Sequence, residues 1–172
     1  VGKNAKLTNV TETDVDSLVF LGSVTLTDGS YGPANIEILS GSSLTLEGNI
    51  SASGLTISAN AISGTGRLDI DSNEVTLAPA AGQVVLSGLT FDGQVDIEAD
   101  ALVTNVEFAN IDLADGITIT ASGVVTAGTI AIADGDTGGE ADLVLTASAE
   151  LVGATLSEDA TDNDDHKLNV TV

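Results

Sequence analysis

The sequence predicts an all-β chain folded as a single-domain parallel β-helix, a β-solenoid of about 7–8 coils. Three observations predict it. Short units of alternating apolar and polar residues, closed by Gly, Asn or Asp, recur along the chain. They are most regular between Leu86 and Thr120, where S-G-L-T-F-D-G-Q-V-D-I-E, V-T-N-V-E-F-A-N-I-D-L and G-I-T-I-T follow one another. Alternation with period two sends every second side chain into a core. The units also return at spacings of roughly 20 residues, the length of one solenoid turn. Finally, the apolar share is 42% while aromatics are 2% and Met, Trp and Cys are absent. A globular core leans on large aromatics for buried area, whereas a narrow solenoid stacks each position on its counterpart in the next coil.

In chain order, residues 1–14 are the least repetitive stretch of the N-terminal half and read as a cap or docking arm with Lys3 and Lys6, two of the four cations. Residues 15–156 read as the solenoid. One series of rungs is expected at Ile36-Glu37-Ile38, Leu55-Thr56-Ile57, Val75-Thr76-Leu77, Val95-Asp96-Ile97, Ile117-Thr118-Ile119 and Leu143-Val144-Leu145. A second is expected at Val24-Thr25-Leu26, Leu44-Thr45-Leu46, Leu68-Asp69-Ile70, Leu89-Thr90-Phe91, Val106-Glu107-Phe108, Ile130-Ala131-Ile132 and Ala154-Thr155-Leu156. Plainer third segments, Val84-Val85-Leu86 and Val124-Val125, lie between them. Tyr31-Gly32-Pro33 reads as a turn, because Pro33 lacks the N–H that a central strand needs. Ala78 to Gly82 reads as a loop. Arg67, ahead of Leu68-Asp69-Ile70, is expected to point outward to an acid, and Phe91 and Phe108, at matching places in successive units, are expected to stack.

Two acidic loops close the chain. Asp134-Gly135-Asp136-Thr137-Gly138-Gly139-Glu140-Ala141-Asp142 gathers four carboxylates around three glycines. Calcium takes six to eight oxygen ligands, and glycines let a loop wrap closely around it. Asp134, Asp136, Glu140 and Asp142 are therefore candidate ligands, although the spacing matches neither the EF-hand nor the G-G-x-G-x-D nonapeptide repeat. Ser157 to Asp165 adds Asp159, Asp162, Asp164 and Asp165 as a second candidate calcium loop. Residues 157–172 thus form an acidic loop and a terminal strand, Leu168-Asn169-Val170-Thr171-Val172, which covers the last coil or is donated to a neighbour. Lys3, Lys6, Leu168, Val170 and Val172 are the candidate assembly residues. The single histidine, His166, lies between acids and Lys167 and reads as an exposed loop residue.

Charge narrows the partners. Twenty-six acids against four Lys and Arg give a net charge of −22, so no nucleic acid is expected, since phosphate contacts need a basic surface. Anionic membranes are disfavoured for the same reason, and no apolar run approaches the ~18 residues of a membrane helix. The chain starts at Val1 without a signal-peptide pattern and reads as a mature product or an excised fragment. No disulfide or thiol chemistry is available without cysteine.

Catalytic templates fail one by one. There is no G-x-S-x-G elbow, no cysteine nucleophile, one His for any zinc site, and Gly64-Thr65-Gly66 lacks the rest of a nucleotide fingerprint. Carboxylate pairs are abundant, but nothing marks the cleft that a glycosidase requires. No enzyme is expected.

The units S-G-L-T-F-D-G-Q-V-D-I-E, V-T-N-V-E-F-A-N and G-I-T-I-T resemble coils of right-handed parallel β-helix proteins. These are the pectin-lyase-like superfamily and the passenger domains of autotransporter and filamentous-haemagglutinin-type adhesins. The resemblance covers roughly residues 18–156. The lyase branch implies clustered Asp with Arg and Lys acting on uronate polymers. A chain with one Arg and this acidity departs from that pattern, and no catalytic residue transfers. The adhesin branch implies an extracellular rod.

Two functions are expected on this footing. The first is a secreted, non-enzymatic structural subunit that polymerises with itself into a surface filament, sheath or layer through its solenoid ends. The alternative is an adhesin passenger segment binding a cell-surface or glycan ligand. Calcium is the candidate cofactor. Ice binding is set aside because the threonines of Thr25-Leu26-Thr27 and Thr118-Ile119-Thr120 are not expected at one rung position. Sequons occur at Asn9, Asn49 and Asn169. The alternative fold is an antiparallel β-sandwich or jelly roll, which also strings short strands between turns.

Overall fold

The computed structural model describes residues 4–12, 16–32, 35–38, 41–71, 73–132, 140–157 and 167–172. They form strands and turns with no helix. In chain order the strands are β1 (Ala5–Thr11), β2 (Ser17–Phe20), β3 (Val24–Tyr31), β4 (Asn35–Ile38), β5 (Leu44–Ala52), β6 (Thr56–Ser58), β7 (Ala61–Gly64), β8 (Arg67–Ile70), β9 (Val75–Leu77) and β10 (Val84–Ser87). They continue with β11 (Thr90–Ile97), β12 (Ala101–Thr104), β13 (Glu107–Leu113), β14 (Thr118–Ser122), β15 (Val124–Ile132), β16 (Glu140–Leu145), β17 (Glu150–Val152), β18 (Thr155–Leu156) and β19 (Lys167–Thr171).

Every pairing among them is parallel, which excludes the antiparallel sandwich. The pairings resolve into three ladders, the three faces of a β-solenoid whose number of turns is close to the 7–8 expected. The first face stacks the N-terminal parts of β1, β3 and β5, then β7, β10, β12, β14, β16 and β19. The second stacks the C-terminal parts of β1, β3 and β5, then β8, the starts of β11, β13 and β15, and β17. The third stacks β2, β4, β6, β9, the ends of β11, β13 and β15, and β18. Long strands such as β3 and β11 turn a corner and serve two faces.

The alternation in the sequence becomes the core directly. Val24, Leu44, Ile62, Leu86, Val103 and Ala121 stack beneath Leu145 on the first face. Ile36, Ile57, Leu77, Ile97, Leu113 and Ile132 stack on the third, and all six are buried. On the second face Leu68, Phe91, Phe108 and Ala127 follow one another. The two rings lie 5.2 Å apart and 6° from coplanar, the stack that the sequence predicts. An apolar void of about 20 Å³ lies in the core among Phe108, Ile111, Ala121, Val125 and Leu151.

The rung series differ from expectation. Ile117 to Ile119 and Leu143 to Leu145 belong to the first face, not to the ladder of Val75 and Val95. The expected second series is divided among all three faces: 24–26 and 44–46 on the first, 68–70, 89–91 and 106–108 on the second, 130–132 and 155–156 on the third. Val84 to Leu86 are first-face core rather than a plain linker. The cause is unequal coil length: Val24 to Leu44 spans 20 positions, Ile62 to Leu86 spans 24 and Leu86 to Val103 spans 17. Tyr31 also departs from the turn expected of it. It ends β3 and is buried, with no hydrogen-bond partner for its hydroxyl among the described residues.

Corners between the first and second faces are built from residues that tolerate the left-handed conformation. Asp28 (φ 51°) and Asn105 (φ 52°) occupy it, as Asn and Asp do more readily than other non-glycine residues. Each then accepts a hydrogen bond from the next coil: Asp28 Oδ1 from the Asn49 amide at 2.9 Å, Asn105 Oδ1 from the Val124 amide at 3.0 Å. Above each sits a glycine, Gly48 (φ +72°) and Gly123 (φ +67°), where a Cβ would collide with that side-chain oxygen. Only glycine satisfies both the positive φ and the close approach.

Candidate functional site

Most of the expected cation site lies outside the described residues: Asp134, Asp136, Asp159, Asp162, Asp164 and Asp165, with His166. Its two described members open β16. Glu140 Oε1 lies 3.4 Å from Lys167 Nζ, and Asp142 Oδ1 accepts a hydrogen bond from Asn169 Nδ2 at 3.0 Å. The Glu140 amide donates to Asp115 Oδ1 at 2.7 Å. β16 and β19 are thus joined on their outer side by side chains as well as by the backbone ladder. Among the described residues no three His, Cys, Asp or Glu side chains are grouped to hold a metal ion.

Of the expected assembly residues, Lys3 lies outside the described residues. Lys6 stands on the outer side of β1, exposed, 3.4 Å from Glu47 Oε2, which also accepts from Thr27 Oγ1 at 3.0 Å. Leu168 is half-buried on β19, Val170 is 43% exposed and Val172 lies beyond the strand at 96%. Among the described residues, β1 pairs only with β3, β2 only with β4, β18 only with β15 and β19 only with β16. Both end rungs therefore present a strand edge without a strand partner among the described residues, with Val19 (58%) and Leu21 (73%) exposed beside one and Leu156 (48%) at the other. A groove of about 430 Å³ runs over the third face between Val19, Leu21, Glu37, Ser58 and Ala80, and Phe20 reaches it. Tyr31, Phe91 and Phe108 are all buried, so Phe20 is the one aromatic near the surface.

Charge is partitioned among the faces, a feature that composition did not reveal. The second face carries Asp69 next to Asp92, with Glu107 above, and Arg67, the first residue of β8, pairs with Asp92 as expected. On the third face Asp96 lies directly beneath Asp112. Burial pushes the Asp96 carboxyl above its ordinary pKa, and the carboxylates of Asp112, Glu74 and Glu98 push it further, against a hydrogen bond from Gln94. On the first face the strands β7, β10, β12 and β14 contain no Asp, Glu, Lys or Arg, while Glu47 projects from β5 beside Thr27 and Lys6.

The same face adds to the expectation about hydroxyl residues, which holds for the four threonines themselves. The two Thr-x-Thr pairs do not coincide, since Thr27 lies beside Glu47 and Thr118 beside Asp142. One member does recur, however. Thr25, Thr45, Ser63, Ser87, Thr104 and Ser122 form a continuous outward column, in which the Thr104 and Ser122 hydroxyls lie 2.7 Å apart. Unequal coil lengths hide this column from any fixed-period reading. The sequons Asn9, Asn49 and Asn169 all lie exposed on strands.

Comparison of the chain with protein-family models, curated proteins and solved structures finds no match to any of them.

Proposed function

We propose that this chain is a secreted, non-enzymatic structural protein whose copies join end to end into an extracellular filament, sheath or surface layer. The observation that carries the reading is the pair of strand edges on the end rungs that have no strand partner among the described residues, each beside exposed apolar side chains. A strand edge is a row of donors and acceptors that another chain can complete, and a head-to-tail contact between unlike ends propagates unless it closes into a ring. Lys3 and Lys6 in the N-terminal segment and the run of acids between Ser157 and Asp165 near the C-terminus give the two terminal segments different charge. Leu168, Val170 and Val172 supply apolar surface at the second end. Calcium, held by the acidic loops, would reduce the repulsion between chains of net charge −22.

A second reading is an adhesin passenger segment that binds a cell-surface ligand along its side, in line with the resemblance to autotransporter and filamentous-haemagglutinin-type coils. The third-face groove around Phe20, Val19 and Leu21 favours it. Glycan stacking has only Phe20 to use, because sugar platforms rest on exposed aromatic faces.

Negative-stain electron microscopy of the purified chain at neutral pH, with calcium and with chelator, separates the two. Filaments or sheets are expected. Dispersed short rods under both conditions refute end-joining and direct attention to the groove. A melting temperature identical in calcium and chelator removes the cofactor.

A further inference from the structure

The groove on the third face has fixed walls. Val19, Glu37 and Ser58 are register partners on β2, β4 and β6 and make one outward column. Phe20 and Leu21 follow Val19 in sequence, and Ala80 comes from the loop between β9 and β10, so that these residues line a space of about 430 Å³. The loop is pinned: Asn60 Nδ2 donates to the Ala81 carbonyl at 2.7 Å and to the Gln83 carbonyl at 3.0 Å. Sites for small ligands measure roughly 300–1,000 Å³ and are mostly apolar, with a few placed polar groups.

The placed polar group here is a carboxylate. Glu37 is the one charged residue of β2, β4 and β6. Asn35 Nδ2 donates to its Oε1 at 3.2 Å, and Ser58 Oγ in turn donates to Asn35 Oδ1 at 3.2 Å. One carboxylate oxygen is thus held, and the other has no partner among the described residues. The described lysines and arginine are engaged elsewhere, Lys6 with Glu47, Arg67 with Asp92 and Lys167 with Glu140. An apolar groove with one oriented carboxylate and no counter-ion among the described residues is complementary to an apolar body that carries a single positive charge.

We propose that the groove binds a short extended segment of another protein in which one lysine lies between aliphatic residues. The column from β2 to β6 spans two rung spacings, about 10 Å, which roughly three extended residues cover. Lysine fits better than arginine. Asn35 already occupies one oxygen of Glu37, so no free pair of oxygens is left for a bidentate guanidinium, whereas a compact ammonium needs only one. The aliphatic neighbours cover Val19, Phe20 and Leu21, an apolar patch of the kind that marks an interaction site. A second copy of this chain is a poorer occupant, because its net charge of −22 opposes approach and its described lysines are already paired. A glycan brings no cation to Glu37. The inference rests on the side-binding reading and names the ligand as polypeptide.

The probe is the peptide acetyl-Leu-Lys-Leu with a neutral fluorophore at its C-terminus, titrated with the whole chain at low salt and followed by anisotropy. A Kd of about 0.1–1 mM is expected for so small a ligand. Glu37→Gln is expected to weaken binding about threefold to fivefold, the scale of one solvent-facing ion pair, and Leu21→Ser to weaken it as well, both with unchanged circular dichroism melts. Glu150→Gln makes the same charge change on an exposed acid of β17 and is expected to leave the Kd as it was. The Leu-Gln-Leu peptide is expected to bind like Leu-Lys-Leu to Glu37→Gln. If Glu37→Gln does not fold, the comparison of the two peptides on the parent and on Leu21→Ser carries the test. Equal affinity of parent and Glu37→Gln, or equal losses in Glu37→Gln and Glu150→Gln, overturns the proposal, the second because the peptide then responds only to net charge. Glycan-array binding that Leu21→Ser abolishes, without groove-dependent peptide binding, overturns it and leaves the side-binding reading standing. Peptide binding to the isolated chain but not to sedimented filaments upholds the site and refutes that reading.

Discussion

Replacing Phe108 by alanine probes the stacked interior most sharply. Its ring is buried against Phe91, 5.2 Å away and nearly parallel, while the next coil offers only Ala127 at that position. Truncating a buried Phe to Ala costs about 3–5 kcal/mol, more where the site cannot collapse. Here the backbone is held by ladder hydrogen bonds to β11 below and β15 above, and the new hole would merge with the existing void of about 20 Å³. The upper part of that range, roughly 4–5 kcal/mol, is expected. Phe91→Ala removes the same ring contact, so a double-mutant cycle should return a coupling of about 0.5–1.5 kcal/mol, the usual worth of an aromatic pair beyond its area. The assay is urea unfolding followed by far-ultraviolet circular dichroism, with m compared to the parent. A loss below about 2 kcal/mol for Phe108→Ala, or additivity of the two substitutions within about 0.3 kcal/mol, would refute the stacked-column account.

Three further outcomes are expected. Ile119→Lys puts an unpaired ammonium between Ala101 and Leu143 and should cost about 3–5 kcal/mol, while Thr118→Lys, outward and opposite Asp142, should stay within about 0.5 kcal/mol of the parent; equal melting temperatures would mean the inward and outward faces are exchanged. Gly123→Ala should lose about 1–3 kcal/mol more than Gly116→Ala, because both sites have positive φ but only at Gly123 does the added Cβ strike the Asn105 side chain that holds the Val124 amide; equal losses in chemical denaturation would remove the corner hydrogen bond from the argument. Asp96→Asn should raise the melting temperature at neutral pH. The folded-state pKa of Asp96 is raised, so the native chain binds this proton more tightly than the unfolded chain, and the group's penalty at neutral pH is relieved as pH falls through the folded value. The gap between parent and variant should therefore close on acidification, and a gap independent of pH would count against the assignment.

Much of the fold was legible because alternation is local. Val95-Asp96-Ile97 and Ile117-Thr118-Ile119 announce which side chains face inward whatever ladder they join, and the Phe91–Phe108 stack followed from matching positions in adjacent units. The scarcity of aromatics pointed to a narrow interior for the same reason. The ladders themselves were not legible. A strand's partners depend on how many residues each corner and loop consumes, and coils here range from 16 to 27 positions between register partners. Asp28 and Asn105 look like ordinary polar residues in the sequence, and their role as left-handed corner posts appears only when Gly48 and Gly123 come to rest above them.

The sequence by itself determined the class of fold, the inward set of side chains and the acidity that governs any partner. Tertiary structure alone decided where the acids stand. Asp69, Asp92, Asp96 and Asp112 fall on two faces, and the hydroxyl column from Thr25 to Ser122 falls on a third face whose strands β7, β10, β12 and β14 carry no charge. The physical reason is that inward or outward orientation is fixed by a two-residue period along the strand, while membership of a face is fixed by stacking across coils of unequal length, and only contacts between residues some twenty positions apart record it.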